Sequence, residues 1–244
     1  MFITEDNKIE VTKRQYKYKL NAYLNAFTAM IAVQIVALLL SLLGVGSSGY
    51  HSGNLSLSLK TYSSNFVIAF TMMWGLVIGI TMTTQAYRNS DFTFVTNRLT
   101  SNLSNIAFLI TASIIGGLTS MLSSNVLKVA LVFYYGTEEI ISSFISMGEI
   151  LIGLIAAILY VLLLTSVGYF VGTLSQLHSI FKIVIPVVFF GLLFTSPGQD
   201  GMITKLFQFY IGETSLLMFS GKVVVTATAL FIASILVSDQ LEVR

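Results

Sequence analysis

The chain reads as an all-α polytopic membrane protein with six transmembrane helices, and three observations carry that reading. Hydrophobic residues make up 55% of the 244 positions and charged residues 10%, against about a quarter charged in an ordinary soluble domain. Mean hydropathy is +0.84. Apolar runs recur along the chain at lengths suited to a hydrocarbon core of about 30 Å, at about 1.5 Å of helix per residue. The polar stretches between them show neither an internal repeat nor a second soluble domain, so residues 1–244 form a single transmembrane domain.

Residues 1–15 are acidic and then basic, with no apolar stretch of the kind that marks a cleavable signal peptide. Residues 8–20 place Lys8, Lys13, Arg14, Lys17 and Lys19 among Ile9, Tyr16 and Leu20. That mixture suits an interfacial helix on an anionic leaflet, and equally a basic flank that orients the first span. The first span covers residues 22–45, with Gln34 near its middle. A Gly/Ser-rich loop holding Lys60 occupies 46–64; its Asn54-Leu55-Ser56 matches a glycosylation acceptor, a triplet short enough to arise by chance. The second span follows at 65–86.

Residues 87–105, YRNSDFTFVTNRLTSNLSN, are polar and lie between two long apolar runs. Ser90 or Asp91 can cap a helix here, because either side chain accepts from the free N–H groups of a first turn. Phe92, Val95, Leu99 and Leu103 then recur at spacings of three, four and four, which puts them on one face of an amphipathic helix. Such a face can rest on lipid or seat in a partner.

The third span is expected over 106–127, followed by a mixed segment to 147 that contains Tyr134, Tyr135, Glu138 and Glu139. The fourth covers 150–174, the bend 175–179 follows, and the fifth reaches 195 with Pro186 inside it, where a missing N–H should kink the helix. Residues 196–222 open on the turn cluster Ser196-Pro197-Gly198 and become apolar and aromatic again, which predicts short helices at the membrane face. The sixth span, 223–237, is short, so it must start earlier or let Lys222 snorkel.

Six spans put both termini on one side. Nine basic residues (Lys8, Lys13, Arg14, Lys17, Lys19, Arg88, Arg98, Lys182 and Arg244) fall on that side, against four (Lys60, Lys128, Lys205 and Lys222) on the other. Both termini are therefore expected in the cytoplasm, residues 87–105 with them, and 46–64 and 196–222 outside.

Composition excludes several chemistries. There is no cysteine, and His51 and His178 have no ligating neighbours at metal-binding spacing, so neither a metal site nor a catalytic site is expected. No GxxxxGK[ST] occurs, so the chain cannot cradle a nucleotide phosphate by itself. A net charge of +2 gives no reason to expect a nucleic acid partner. The span interiors hold no Asp or Glu, and Glu149 sits at an end, which argues against an ion-coupled carrier. Two GxxxG patterns, Gly75 to Gly79 and Gly168 to Gly172, allow close helix approach, within one subunit or across a dimer.

The order of these parts resembles the six-span membrane subunits of type-2 ABC exporters, among them the small permeases of bacterial antimicrobial-peptide export and immunity. The likeness spans nearly the whole chain. It rests on the basic helix before span one, the amphipathic segment between spans two and three, Asp91 to Leu99 with an acid, apolar residues and a base, Gly168-Tyr169-Phe170-Val171-Gly172-Thr173, and the short helices after span five. Family members often carry a proline where Val95 or Thr96 stands here. The resemblance implies a non-catalytic subunit of a bacterial cell membrane, with residues 87–105 as a cytoplasmic coupling segment, its coupling helix at 91–103, and Asp91, Phe92, Val95, Arg98, Leu99 and Leu103 touching a nucleotide-binding subunit. ATP and magnesium would be held by that partner, with a second membrane subunit, identical or related, completing the route. An amphipathic or antimicrobial peptide is the expected cargo. A polysaccharide or lipid-linked glycan exporter, or a stand-alone carrier or scaffold, are the other readings.

Overall fold

A computed structural model describes residues 8–52, 55–87, 97–136, 146–178, 180–195 and 201–240. The glycosylation match at Asn54, the turn cluster 196–200, Glu138 and Glu139 lie outside the described residues, as do Asp91, Phe92 and Val95. The elements in chain order are α1 (Lys8–Ala22), α2 (Leu24–Leu42), β1 (Gly46–Ser52), β2 (Leu55–Thr61), α3 (Asn65–Met82), α4 (Arg98–Tyr135), α5 (Met147–Leu177), α6 (Phe181–Thr195), α7 (Met202–Ile211) and α8 (Leu216–Asp239). Five of them, α2, α3, α4, α5 and α8, are long and apolar enough to cross a membrane, the architecture of a helical polytopic membrane protein.

The stretch expected as a loop at 46–64 is a β-hairpin instead. Leu55, Leu57 and Leu59 alternate with Ser56, Ser58 and Lys60, a period of two that suits a strand. The register runs from Gly46 opposite Thr61 to Ser52 opposite Leu55. The chain enters the hairpin through Gly44, whose φ of +86° lies in the left-handed region that favours glycine at a helix end. At its exit the Tyr62 hydroxyl donates to that of Tyr135 at 2.7 Å, tying the hairpin to the far end of α4.

α4 departs furthest from expectation, with 38 residues in one helix. It begins at Arg98, so the C-terminal part of the polar stretch 87–105 is the first two turns of a long helix. Asn97 before it is extended, at φ −89° and ψ 152°, which separates α4 from whatever precedes it. α5 starts with a capping box: Ser146 Oγ accepts from the Glu149 N–H at 3.2 Å, and the Glu149 carboxylate accepts from the Ser146 N–H at 3.0 Å.

α3 and α5 lie side by side in the same direction. A Cβ at Gly75 would come within 2.7 Å of the Thr165 hydroxyl, one at Gly168 would overlap the Leu76 carbonyl, and one at Gly172 would come within 3.0 Å of the Ile80 Cα. Both GxxxG patterns therefore serve packing within this subunit, where close backbone approach supplies the van der Waals contact that association in lipid depends on. α8 also runs parallel to α5: Tyr160 meets Phe219 with ring centroids 4.7 Å apart, and Tyr169 meets Phe231 at 6.0 Å. The main core joins Met30 of α2, Trp74 and Ile78 of α3, Phe108 and Leu109 of α4, Tyr169 of α5 and Phe231 of α8. Gln34, buried mid-bundle, donates to the Thr71 hydroxyl at 3.1 Å and the Thr119 hydroxyl at 2.9 Å, so its polarity is absorbed internally.

α6 has 15 residues with Pro186 inside, about 22 Å of helix at 1.5 Å per residue. Its bounds agree with the fifth span expected after the bend 175–179, but it is too short to count among the five helices long enough to cross a membrane. α8 begins at Leu216, seven residues before the expected sixth span. Lys222 therefore lies inside α8, where it donates to the Glu213 carboxylate and to the Phe209 carbonyl at 3.1 Å.

Candidate partner-binding site

Of the six residues singled out in the amphipathic segment, Arg98, Leu99 and Leu103 are described, and all three sit in the first two turns of α4. Leu99 and Leu103 are 39% and 40% exposed. Thr100, Ser101, Asn102, Ser104 and Asn105 are buried. In these two turns the polar residues face inward and the leucines outward, while Phe92 and Val95, before the extended Asn97, lie outside the described residues. Arg98 Nη1 donates to the carbonyls of Ser238 at 3.2 Å and Asp239 at 3.1 Å, placing a cation on the carbonyl end of α8.

The inward polarity is explained by α1, which lies against the base of α4. Residues Gln15 and Lys19, one turn apart on α1, are both buried there. The Lys19 side chain is 1% exposed. Its ammonium donates to Ser104 Oγ at 2.8 Å, to the Ser101 carbonyl at 3.3 Å and to Asn105 Oδ1. Burying an ammonium costs several kcal/mol unless acceptors replace its water, and the stripe Ser101, Ser104, Asn105 supplies them. Asn105 Nδ2 in turn donates to the Tyr169 hydroxyl at 3.4 Å, and that hydroxyl donates to Asn102 Oδ1 at 2.9 Å. α1, α4 and α5 are joined by one polar network. Gln15 Nε2 and Asn102 Nδ2 are buried in it without a hydrogen-bond partner among the described residues.

The other edge of residues 87–105 is held as well. After α3 the chain turns at Thr83 and Thr84, and residues 85–87 are helical. The Tyr87 ring lies against Tyr23, with centroids 4.6 Å apart and planes at 50°. Tyr23 is the break between α1 and α2, at φ −106° and ψ 31°, and its ring meets the edge of Phe108 at 5.9 Å. Both described edges of the segment thus rest on α1 and its junction with α2.

The sequence does not single out Lys19, Asn102, Asn105 and Tyr169 as one site: Lys19 reads as one of the basic residues of an interfacial helix, and Tyr169 as part of the stretch 168–173. A usable signal existed: a Gln and a Lys one turn apart on a short helix, and a run of Thr, Ser and Asn on one side of a long apolar one. Among the described residues no group of His, Asp and Glu could hold a metal ion.

No family model matches the chain, and no curated protein or solved structure matches it either.

Proposed function

We propose that this chain is the membrane subunit of an ATP-driven exporter of the type-2 ABC kind, set in a bacterial cell membrane and paired with a second membrane subunit and separate nucleotide-binding subunits. Six crossings and cytoplasmic termini belong to this proposal. The parallel run of α5 and α8 supports the sixth: a chain leaving α5 must return across the bundle before α8 begins, and α6 lies on that return. The basic residues of α1, Arg98 and Lys182 favour the α1 end as cytoplasmic. Amphipathic peptide is the cargo proposed, by analogy with the resembling permeases.

The observation that carries the reading is the double attachment of the segment between α3 and α4. Tyr87 rests on Tyr23 at one edge, and the first turns of α4 clasp Lys19 at the other. Force applied to residues 88–96 by a moving partner would pass into α1 and into the 38-residue α4 as packed bodies, the kind of discrete rearrangement that coupling needs. Phe92, Val95 and Leu99 are proposed to seat in that partner, with Asp91 and Arg98 at the rim and Leu103 beside them.

The test is to replace Phe92, Val95 and Leu99 together by serine and to purify the assembly in mild detergent. Each buried apolar side chain contributes roughly 1.5–3 kcal/mol, so the triple variant should lose its ATPase subunit, or keep it with substrate no longer stimulating hydrolysis. Unchanged retention with unchanged stimulation would sink the proposal and leave a stand-alone carrier or scaffold.

A further inference from the structure

At the basic end of the bundle, the last turn of α3 with the residues just after it, the last turns of α5 and the first turns of α6 enclose an open cleft of about 490 Å³. Its apolar wall is made by Ile80, Val171, Ile185 and Pro186. Thr83, Thr84 and Ser175 also line it, but their hydroxyl protons go to backbone carbonyls of their own helices, to Ile80 at 2.7 Å, Thr81 at 2.8 Å and Val171 at 2.9 Å. The donors left facing the cleft are the side-chain amides of Gln85 and Gln176 and the ammonium of Lys182. None of these three makes a side-chain hydrogen bond or ion pair among the described residues.

One cation and two neutral amides beside an apolar wall match a ligand with a single negative charge, several acceptor oxygens and a hydrocarbon part. We propose that this cleft binds an anionic glycerophospholipid. Its phosphodiester sits on Lys182 and the two amides, and the start of one acyl chain lies along Ile80, Val171, Ile185 and Pro186. The level of the cleft fits, since it forms where three helices end together, at the end of the bundle where the basic residues of α1 and Arg98 also collect. A zwitterionic headgroup would bring a second cation toward Lys182 and is disfavoured. A free phosphate would leave the apolar wall uncovered. The assignment stands apart from the proposed ATPase coupling and needs no partner subunit.

The experiment uses the full chain in a neutral detergent, titrated with phosphatidylglycerol, phosphatidylcholine or inorganic phosphate, with bound lipid counted by native mass spectrometry and stability followed by thermal unfolding. Phosphatidylglycerol should bind and raise the midpoint, while the other two leave it in place. Lys182→Gln should weaken phosphatidylglycerol binding about tenfold, the scale of one charge-assisted hydrogen bond, and Lys182→Arg should restore most of it. Gln176→Leu should weaken it less, and Lys13→Gln, an exposed cation on α1, should leave it unchanged. Equal binding of phosphatidylcholine, equal stabilisation by inorganic phosphate, or the same loss in Lys13→Gln as in Lys182→Gln would each overturn the assignment.

Discussion

The ring of Tyr87 lies 4.6 Å from that of Tyr23, and this pair fixes the end of the α3 side of the chain to the joint between α1 and α2. An aromatic pair adds about 0.5–1.5 kcal/mol beyond its area, enough to restrain a short amphipathic helix but not to hold it alone. Tyr87→Ala should therefore speed amide exchange across residues 8–22 while the interior of α5 keeps its protection. Equal protection of α1 in both proteins would show that the ring pair does not restrain it.

Lys19 and Asn105 should prove energetically coupled. Lys19→Met leaves Asn105 Oδ1 without the ammonium, and Asn105→Leu leaves the ammonium one acceptor short; each should destabilise by about 1–3 kcal/mol. The double variant should lose clearly less than the sum, because the second change removes a group already stranded. Equilibrium unfolding in detergent across the four proteins measures this, and simple additivity would mean that the two groups act independently.

Two glycine substitutions should behave in opposite ways. A side chain at Gly168 meets the Leu76 carbonyl, backbone that cannot rotate aside, whereas Gly221 in α8 has nothing within 4 Å of its would-be Cβ. Gly168→Val should force α3 from α5 and destabilise by more than about 3 kcal/mol, beyond the usual range of overpacking. Gly221→Ala should be neutral or stabilise by up to about 1 kcal/mol through helix propensity. Thermal unfolding of the two variants decides, and a stable Gly168→Val protein would contradict the packing described.

Lys222 links α7 to α8 through Glu213, the Phe209 carbonyl and the face of the Phe209 ring, 4.2 Å away. The two charged side chains are only 25% and 22% exposed, so the pair is screened less than a surface one. Glu213→Gln should leave α8 inserted but accelerate proteolysis and amide exchange in residues 202–211. Unaltered exchange there would assign the hold on α7 to apolar contact alone.

Because the chain has no cysteine, single-cysteine labelling can test the proposed orientation directly. Ser58→Cys should react with an impermeant maleimide on intact cells, and Asn97→Cys should react only after permeabilisation. The reverse pattern would invert the topology and place α1 outside.

Much of the helical plan was legible because apolar runs of membrane length leave the backbone no alternative: in lipid, N–H and C=O groups must pair within the helix. The GxxxG patterns at Gly75 and Gly168 could likewise be read as close approach, and only their partner helices had to be seen. The hairpin at 46–61 is not legible in the same way: its Leu/Ser alternation is present, but the Gly/Ser-rich composition of the stretch is equally that of a loop. Leu99 and Leu103 could be placed on one face from spacing, but whether that face turns inward depends on what α1 brings to the other.

That dependence separates what the sequence alone determined from what only the tertiary structure decided. Composition and run length settled that the chain is helical and apolar enough to cross a membrane several times, since both are properties of each segment by itself. Which residues of α4 are inside was not such a property. A stripe of Ser101, Ser104 and Asn105 would face water on an isolated helix; beside a buried Lys19 it faces the interior, because an ammonium removed from water must find oxygen acceptors. The partner of that stripe lies more than 80 positions away in the chain, so no local window of sequence contains both halves of the interaction.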